Sequence, residues 1–294
     1  MSAGEADGDG AGVVSASRRP GAAGSADKPR SVGMAVATGL VLAVVVVGTL
    51  VAGKIAFFVL AFVVVIIAQA ELYAVLKAAG FSPVALVGLI CGGVVLAGAY
   101  YRGMPALALG LVLPLPVLLL WGLTVPVDKV RSVLSSTYFG IVYGPLLVAF
   151  AVLLLRGPDG LVLTATVVGM SAMHDAGAYL IGRKIGRHKL APRTSPGKTW
   201  EGWAAGTVVM VGLSAAVLPI IHPFDVWLAV RLALVMSVTT PMGDLVESLV
   251  KRDLGVKDMG SLIPGHGGFF DRIDAIIFNA PVAYYVLRTL GWAG

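Results

Sequence analysis

Apolar residues in this chain come in long, nearly unbroken blocks. They show neither the alternation of a strand nor the one-sided stripe of a soluble helix. Such blocks occupy about 32–53, 55–77, 82–99, 104–124, 132–155, 160–182, 201–221, 225–250 and 273–290, each close to the length a helix needs to cross hydrocarbon. Backbone polar groups in that medium must be satisfied within the segment, so the pattern predicts nine transmembrane helices. Pro114, Pro116, Pro145, Pro241 and Pro281 fall inside blocks and predict kinks. The connections are short apart from two polar loops, 183–200 and 251–272. Residues 1–31, rich in Gly, Ala, Ser and Asp, are expected to form a disordered tail. Residues 32–170 then form an N-terminal group of helices and 171–294 a C-terminal group.

Composition agrees. The chain is 57% hydrophobic and only 13% charged, where a soluble domain carries about 25%. Its net charge of +6 does not point to nucleic acid, because the basic residues follow the positive-inside rule. With the N-terminus in the cytoplasm, the inner segments hold 17 Lys and Arg and the outer segments four. The expected fold is therefore an all-α polytopic membrane protein with a cytoplasmic N-terminus and an outside C-terminus. Both polar loops then share the cytoplasmic face. The single cysteine, Cys91, allows no intrachain disulfide and reads as a small packing residue.

Candidate chemistry concentrates near those loops. In "PMGDLVESLVKR", 241–252, Asp244, Glu247, Ser248 and Lys251 share one helical face. Acids inside a span are costly; they read either as an internal salt bridge to Lys251 or Arg252, or as a carboxylate site for a hard cation. The following stretch, "KRDLGVKDMGSLIPGHGGFFDRID", 251–274, adds Asp271 and Asp274, where a helix cap needs only one of them. Gly265, Gly267 and Gly268 permit a nest of backbone N–H groups for an anion, and His266, Lys257, Arg252 and Arg272 are natural phosphate partners. Carboxylates for Mg²⁺ beside donors for phosphate suit a nucleoside triphosphate. On the other loop, "HDAGAYLIGRKIGRHKLAPRTSPGKTWEG", 174–202, sets Asp175, Tyr179 and Gly182 on one face. It continues into Ser195, Lys198, Thr199 and Glu201, which look like a phosphate-binding turn entering a helix. The "GKT" is no P-loop, since Pro192 stands where that motif requires glycine. His174 and His188 read as ordinary polar residues, and Glu71 either lines the same cavity or pairs within the bundle.

The stretch 248–274 resembles the signature of the phosphatidate cytidylyltransferases, or CDP-diacylglycerol synthases. The matching positions are Ser248, Lys251-Arg252, Lys257-Asp258, Pro264, His266-Gly267-Gly268 and Asp271-Arg272-x-Asp274. Residues 175–202 resemble that family's second motif, departing only at Thr194 and Gly197. The resemblance covers about 100 residues of the C-terminal half. It implies the reaction of CTP with phosphatidate to give CDP-diacylglycerol and pyrophosphate, a Mg²⁺ requirement, a homodimer, and a cavity open to cytoplasm and bilayer. The family's metal-binding aspartates fall on Asp244 and Asp271. The expected catalytic set is Asp244, Lys251, Arg252, Lys257, Asp258, His266, Asp271, Arg272 and Asp274. Substrate binding is expected from Asp175, Tyr179, Ser195, Lys198, Thr199, Glu201, Gly267 and Gly268. A second cation could complete a two-metal clamp. The expected location is the cell membrane, with the active site facing the cytoplasm. Alternatives are a CTP transferase for a polyprenyl or ether-lipid phosphate, and an ion-coupled carrier.

Overall fold

The computed structural model describes residues 32–263 and 267–292. The expected tail 1–31 lies outside the described residues, as do Pro264, Gly265 and His266. Every stretch expected to span is helical. The N-terminal group comprises α1 (Val32–Ala52), α2 (Lys54–Ala78), α3 (Ala85–Arg102), α4 (Met104–Val112) and α5 (Pro114–Gly122). It continues through α6 (Val127–Ile141) and α7 (Leu147–Arg156). The C-terminal group is α8 (Gly160–Ile185), α9 (Trp200–Val217), α10 (Val226–Asp253) and α11 (Phe270–Thr289). Among the described residues, six helical rods are long and apolar enough to cross a membrane: 54–78, 85–102, 104–122, 127–156, 200–220 and 226–253. Helices α8 and α11 have the length but carry Asp175, Asp271, Arg272 and Asp274.

The prolines act in different ways. Pro114 ends α4 and opens α5. Pro145 sits in a π-helical turn, Val142–Leu146, that joins α6 to α7, the wider turn that accommodates a missing N–H. Helices α10 and α11 run through Pro241 and Pro281 without a break. At Pro241 the reason is visible. A proline removes the donor for the carbonyl four residues back, here Ser237, and the Trp203 indole N–H of α9 donates to that oxygen at 2.8 Å.

The all-α expectation needs one amendment. Helix α8 extends to Ile185, and the segment expected to be a loop folds as an antiparallel hairpin, β1 (Lys189–Ala191) and β2 (Ser195–Thr199). Thr199 ends the hairpin and caps α9, its hydroxyl accepting from Gly202 N–H at 3.1 Å. Glu201 accepts from the backbone N–H groups of Arg187 and His188 and pairs with the His188 ring at 2.5 Å, fixing the base of the hairpin.

Small residues let the site-bearing helices approach closely, as membrane packing favours. A Cβ on Gly206 would lie 2.6 Å from the His174 carbonyl of α8, and one on Gly243 would lie 2.6 Å from the Asp274 carbonyl of α11. Deeper in the bundle, the Asn279 amide donates to Ser171 at 2.7 Å and Thr240 at 2.8 Å and accepts from Thr239, tying α8, α10 and α11 together. We expect Gly243→Ala to push α10 from α11 and cost about 1–3 kcal/mol. Gly212→Ala, with nothing within 4 Å of the added carbon, should leave the thermal midpoint in detergent unchanged or raised.

Candidate active site

Four helix ends meet on one side of the bundle: the C-termini of α8 and α10 and the N-termini of α9 and α11. Between them lies a cavity of about 720 Å³, within the range of small-molecule sites. The N-terminal ends of α9 and α11 bring positive dipole ends and unsatisfied N–H groups to this side, an arrangement that favours anions.

Two tiers of carboxylate stand here. The inner tier is held by Lys251 and the loop backbone, with Glu247 Oε1 alone buried without a partner in this tier. Lys251, mostly buried, places its ammonium 2.7 Å from Glu247 Oε2 and 2.9 Å from Asp271 Oδ1. Asp271 also accepts from the backbone N–H of Met259 at 3.0 Å and of Gly268 at 2.8 Å, so both its oxygens have partners. The outer tier is under-satisfied. Asp244 Oδ2 pairs with Lys198 of the hairpin at 2.5 Å, while Oδ1 is buried without a partner. Asp274 accepts from the N–H of Ala275, the next residue, at 2.8 Å. Asp175, Asp244 and Asp274 are close enough to repel one another.

The sequence-predicted residues therefore divide. Asp175, Tyr179, Ser195, Lys198, Thr199, Asp244, Asp271, Arg272 and Asp274 all face the cavity. Lys251 lies beneath it as the counter-ion of Glu247 and Asp271. The internal salt bridge weighed for residues 241–252 thus exists at Glu247, but Asp244 takes its lysine from the hairpin. Arg252 and Lys257 are exposed and Asp258 is half-buried, all away from the cavity wall. Glu201 serves the hairpin base. Gly267 has φ +81°, in the left-handed region, as a nest requires. The Gly268 N–H is spent on Asp271, and a Cβ on Gly268 would lie 2.5 Å from a Glu71 oxygen. Gly265 and His266 lie outside the described residues.

Sequence reasoning missed Trp203 and Pro241 in the cavity wall. An indole inside a span opposite an intrahelical proline was the available signal. His174 also faces the cavity, 2% exposed with neither ring nitrogen hydrogen-bonded.

Among the described residues, no group of three or more His, Cys, Asp and Glu is arranged as a ready metal cage. The donor set nonetheless suits Mg²⁺, which is usually held by one or two carboxylates together with substrate phosphates. Asp244 offers a buried oxygen with no other partner, beside the carboxylates of Asp175 and Asp274.

Residues 34–290 match the cytidylyltransferase family, and the chain belongs to it. It is 34% identical over 278 residues to a phosphatidate cytidylyltransferase of Mycobacterium leprae, covering 89% of each chain. It is 41% identical over 139 residues to the phosphatidate cytidylyltransferase of Brucella suis, 46% of this chain and 51% of that one. It is also 40% identical over 129 residues to an uncharacterized Escherichia coli protein, YnbB, 44% of this chain and 43% of that one.

The inner tier yields a stability prediction. Lys251→Met leaves two buried carboxylates facing each other and should lower stability by about 3–5 kcal/mol, read as a fall in the detergent thermal midpoint. Adding Glu247→Gln should restore part of the loss.

Proposed function

We propose that this chain is an integral-membrane phosphatidate cytidylyltransferase, converting CTP and phosphatidate to CDP-diacylglycerol and pyrophosphate. The observation that carries the reading is the cavity in which Asp175, Asp244 and Asp274 face Lys198 and Arg272. It is supported by likeness to a phosphatidate cytidylyltransferase along 89% of the chain.

The chemistry follows from charge. The phosphate monoester of phosphatidate loses its second proton at about pH 6, as phosphoserine does, so it is a nucleophile without a general base. Its oxygen attacks the α-phosphorus of CTP. The bond from that phosphorus to the bridging oxygen breaks, and pyrophosphate leaves with the electron pair. The obstacle is bringing one anion to another. Lys198 and Arg272 stabilise equatorial and leaving-group charge, and the N-terminal dipoles of α9 and α11 act in the same sense. Mg²⁺, when bound, supplies charge neutralisation of phosphate oxygens. We assign its protein ligands to Asp244 with Asp274 or Asp175 in reach, and Asp271 joins them if its hydrogen bonds to the loop are exchanged. A second cation would sit among the same carboxylates. Lys251, through Asp271, keeps the first turn of α11 in register.

For the whole molecule we propose nine membrane spans, a cytoplasmic N-terminus, an outside C-terminus, a homodimer, and a cell-membrane location with the cavity on the cytosolic side, where CTP is found. The distribution of Lys and Arg supports this orientation. Single cysteines introduced into a Cys91→Ser background should react with impermeant maleimide from the cytoplasmic side at Gly197. The opposite labelling would invert the topology.

The reaction is tested with purified protein, CTP and Mg²⁺, offering phosphatidate or a polyprenyl phosphate. CDP-diacylglycerol should form only with phosphatidate. Asp244→Asn and Lys198→Ala should each lower kcat about 100-fold or more, with the fold retained by thermal shift. Product from polyprenyl phosphate alone would change the lipid, and absence of CTP turnover with any lipid phosphate would remove the enzyme reading.

A further inference from the structure

Glu71 belongs to α2, in the half of the chain that carries none of the motif residues. Its carboxylate nevertheless ends beside the loop that precedes α11. Oε2 accepts the backbone N–H of Phe270 at 3.0 Å, across 199 positions of sequence. Phe270 is the first residue of α11, and the N-cap position, Phe269, provides no side-chain hydrogen bond. First-turn N–H groups have no acceptor within their own helix, and a carboxylate there also meets the positive end of the helix dipole. Glu71 therefore caps α11 from another helix.

The surroundings are shaped to that carboxylate. A Cβ on Gly260 would lie 2.2 Å from Glu71 Oε1, and one on Gly268 would lie 2.5 Å from Oε2. Both flanks of the loop thus admit the acid only because they are glycine. Glu71 is 8% exposed and its Oε1 has no partner, an expensive arrangement within a membrane helix. The Phe270 ring, fully buried, packs on Tyr143 with centroids 5.2 Å apart. Glu71 and Tyr143 together fix the start of α11. Asp271 follows immediately, and Asp274 stands one turn further on, facing the cavity.

We propose that Glu71 is a positioning residue for the cytidylyltransfer reaction: by capping α11 from α2, it sets where Asp271 and Asp274 stand relative to Asp244. The proposal rests on the active-site reading given above. The N-terminal helices, on this account, tune the site through the Glu71 cap and the packing of Tyr143 on Phe270.

The test compares wild type with Glu71→Gln, Glu71→Ala, Gly268→Ala and the Glu71→Ala/Gly268→Ala double variant. Full-length protein in detergent is assayed for kcat, for KM of both substrates, for the Mg²⁺ midpoint, for thermal midpoint, and for hydrogen exchange across 267–275. Glu71→Ala should lower kcat about 10- to 100-fold, the scale of a small misplacement of reacting groups. Its phosphatidate KM should stay within about 3-fold, because α11 shifts its carboxylates without unmaking the lipid site. Exchange at Phe270 should rise. Glu71→Gln keeps an acceptor oxygen and should retain kcat within about 5-fold. Gly268→Ala should lower kcat in the wild-type background and cost less beside Ala at position 71, where the carboxylate it strikes is gone. If Glu71→Ala does not fold, the Gln variant and Gly268→Ala still decide the matter.

The proposal is overturned by wild-type kcat and unchanged exchange in Glu71→Ala. Activity lost only in proportion to folded protein, with no rescue by Gln, overturns it equally. If wild type itself makes no CTP-dependent product, the active-site reading has failed. Unchanged Phe270 exchange in Glu71→Ala would then show separately that the cap is absent.

Discussion

Hydrocarbon cannot solvate a carboxylate, and this chain brings Asp175, Asp244, Glu247, Asp271 and Asp274 to one end of one helix bundle. Everything else near them answers that cost. Glu247 and Asp271 share the ammonium of Lys251, and Asp271 takes two backbone N–H groups besides. Asp244 draws Lys198 from outside the bundle, and one of its oxygens stays unpaired. Asp274 accepts the N–H of the next residue, Ala275. Among the described residues, Asp271 has donors on both oxygens, whereas Glu247 and Asp244 each keep one buried oxygen without a partner. Only Asp244 of these two faces the cavity, where a ligand can complete it.

Gathering these acids needs helix axes closer than ordinary side chains allow. Gly243 brings α10 against the backbone of α11 at Asp274, so that Asp244, the next residue, stands beside Asp274. Gly206 and Gly202 do the same for α9 against α8, beneath His174 and Ala178. The hairpin is then positioned from both sides: Glu201 grips its first strand's approach, and Thr199 ends its second strand as the cap of α9. Lys198, adjacent to that cap, has its reach to Asp244 set by helix geometry rather than by a free loop. Trp203 closes the circuit by satisfying the Ser237 carbonyl that Pro241 releases on α10, two turns before Asp244.

Much of this was legible in the order of residues, and the limits have physical causes. Length and apolarity gave every helix, because a bilayer imposes one element length on all of them. Spacing grouped Asp175, Lys198, Asp244, Asp271, Arg272 and Asp274, and all six line one cavity, because motif residues lie within a turn or two of helix ends that topology brings together. What spacing could not tell was which acid each lysine would choose. Lys251 is an i+4 neighbour of Glu247, a contact any helix makes, but its bond to Asp271 and the bond of Lys198 to Asp244 cross between elements. The hairpin escaped notice because three- and five-residue strands leave no periodic signal. Arg252, Lys257 and Glu201 were grouped with the site by their chemistry and motif positions, and in this structure none of the three lines the cavity. Glu71 was read as lining the cavity or pairing within the bundle; it pairs, but its partner stands 199 positions distant and is a backbone N–H that no side-chain pattern can announce.

The resting pair of Lys198 with Asp244 also bears on how the proposed reaction begins. A lone ammonium or a lone carboxylate at this depth would carry a desolvation cost of several kcal/mol. Paired, the two are neutral overall. A nucleotide arriving with a bound cation would likewise be a set of opposed charges; Lys198 would then serve the phosphate and Asp244 would hold the cation. One ion pair is exchanged for two, and neither side chain is left bare in between. Lys198 belongs to the hairpin and Asp244 to α10, three residues before the Glu247 that Lys251 pairs with, so the exchange needs only the lysine side chain to turn.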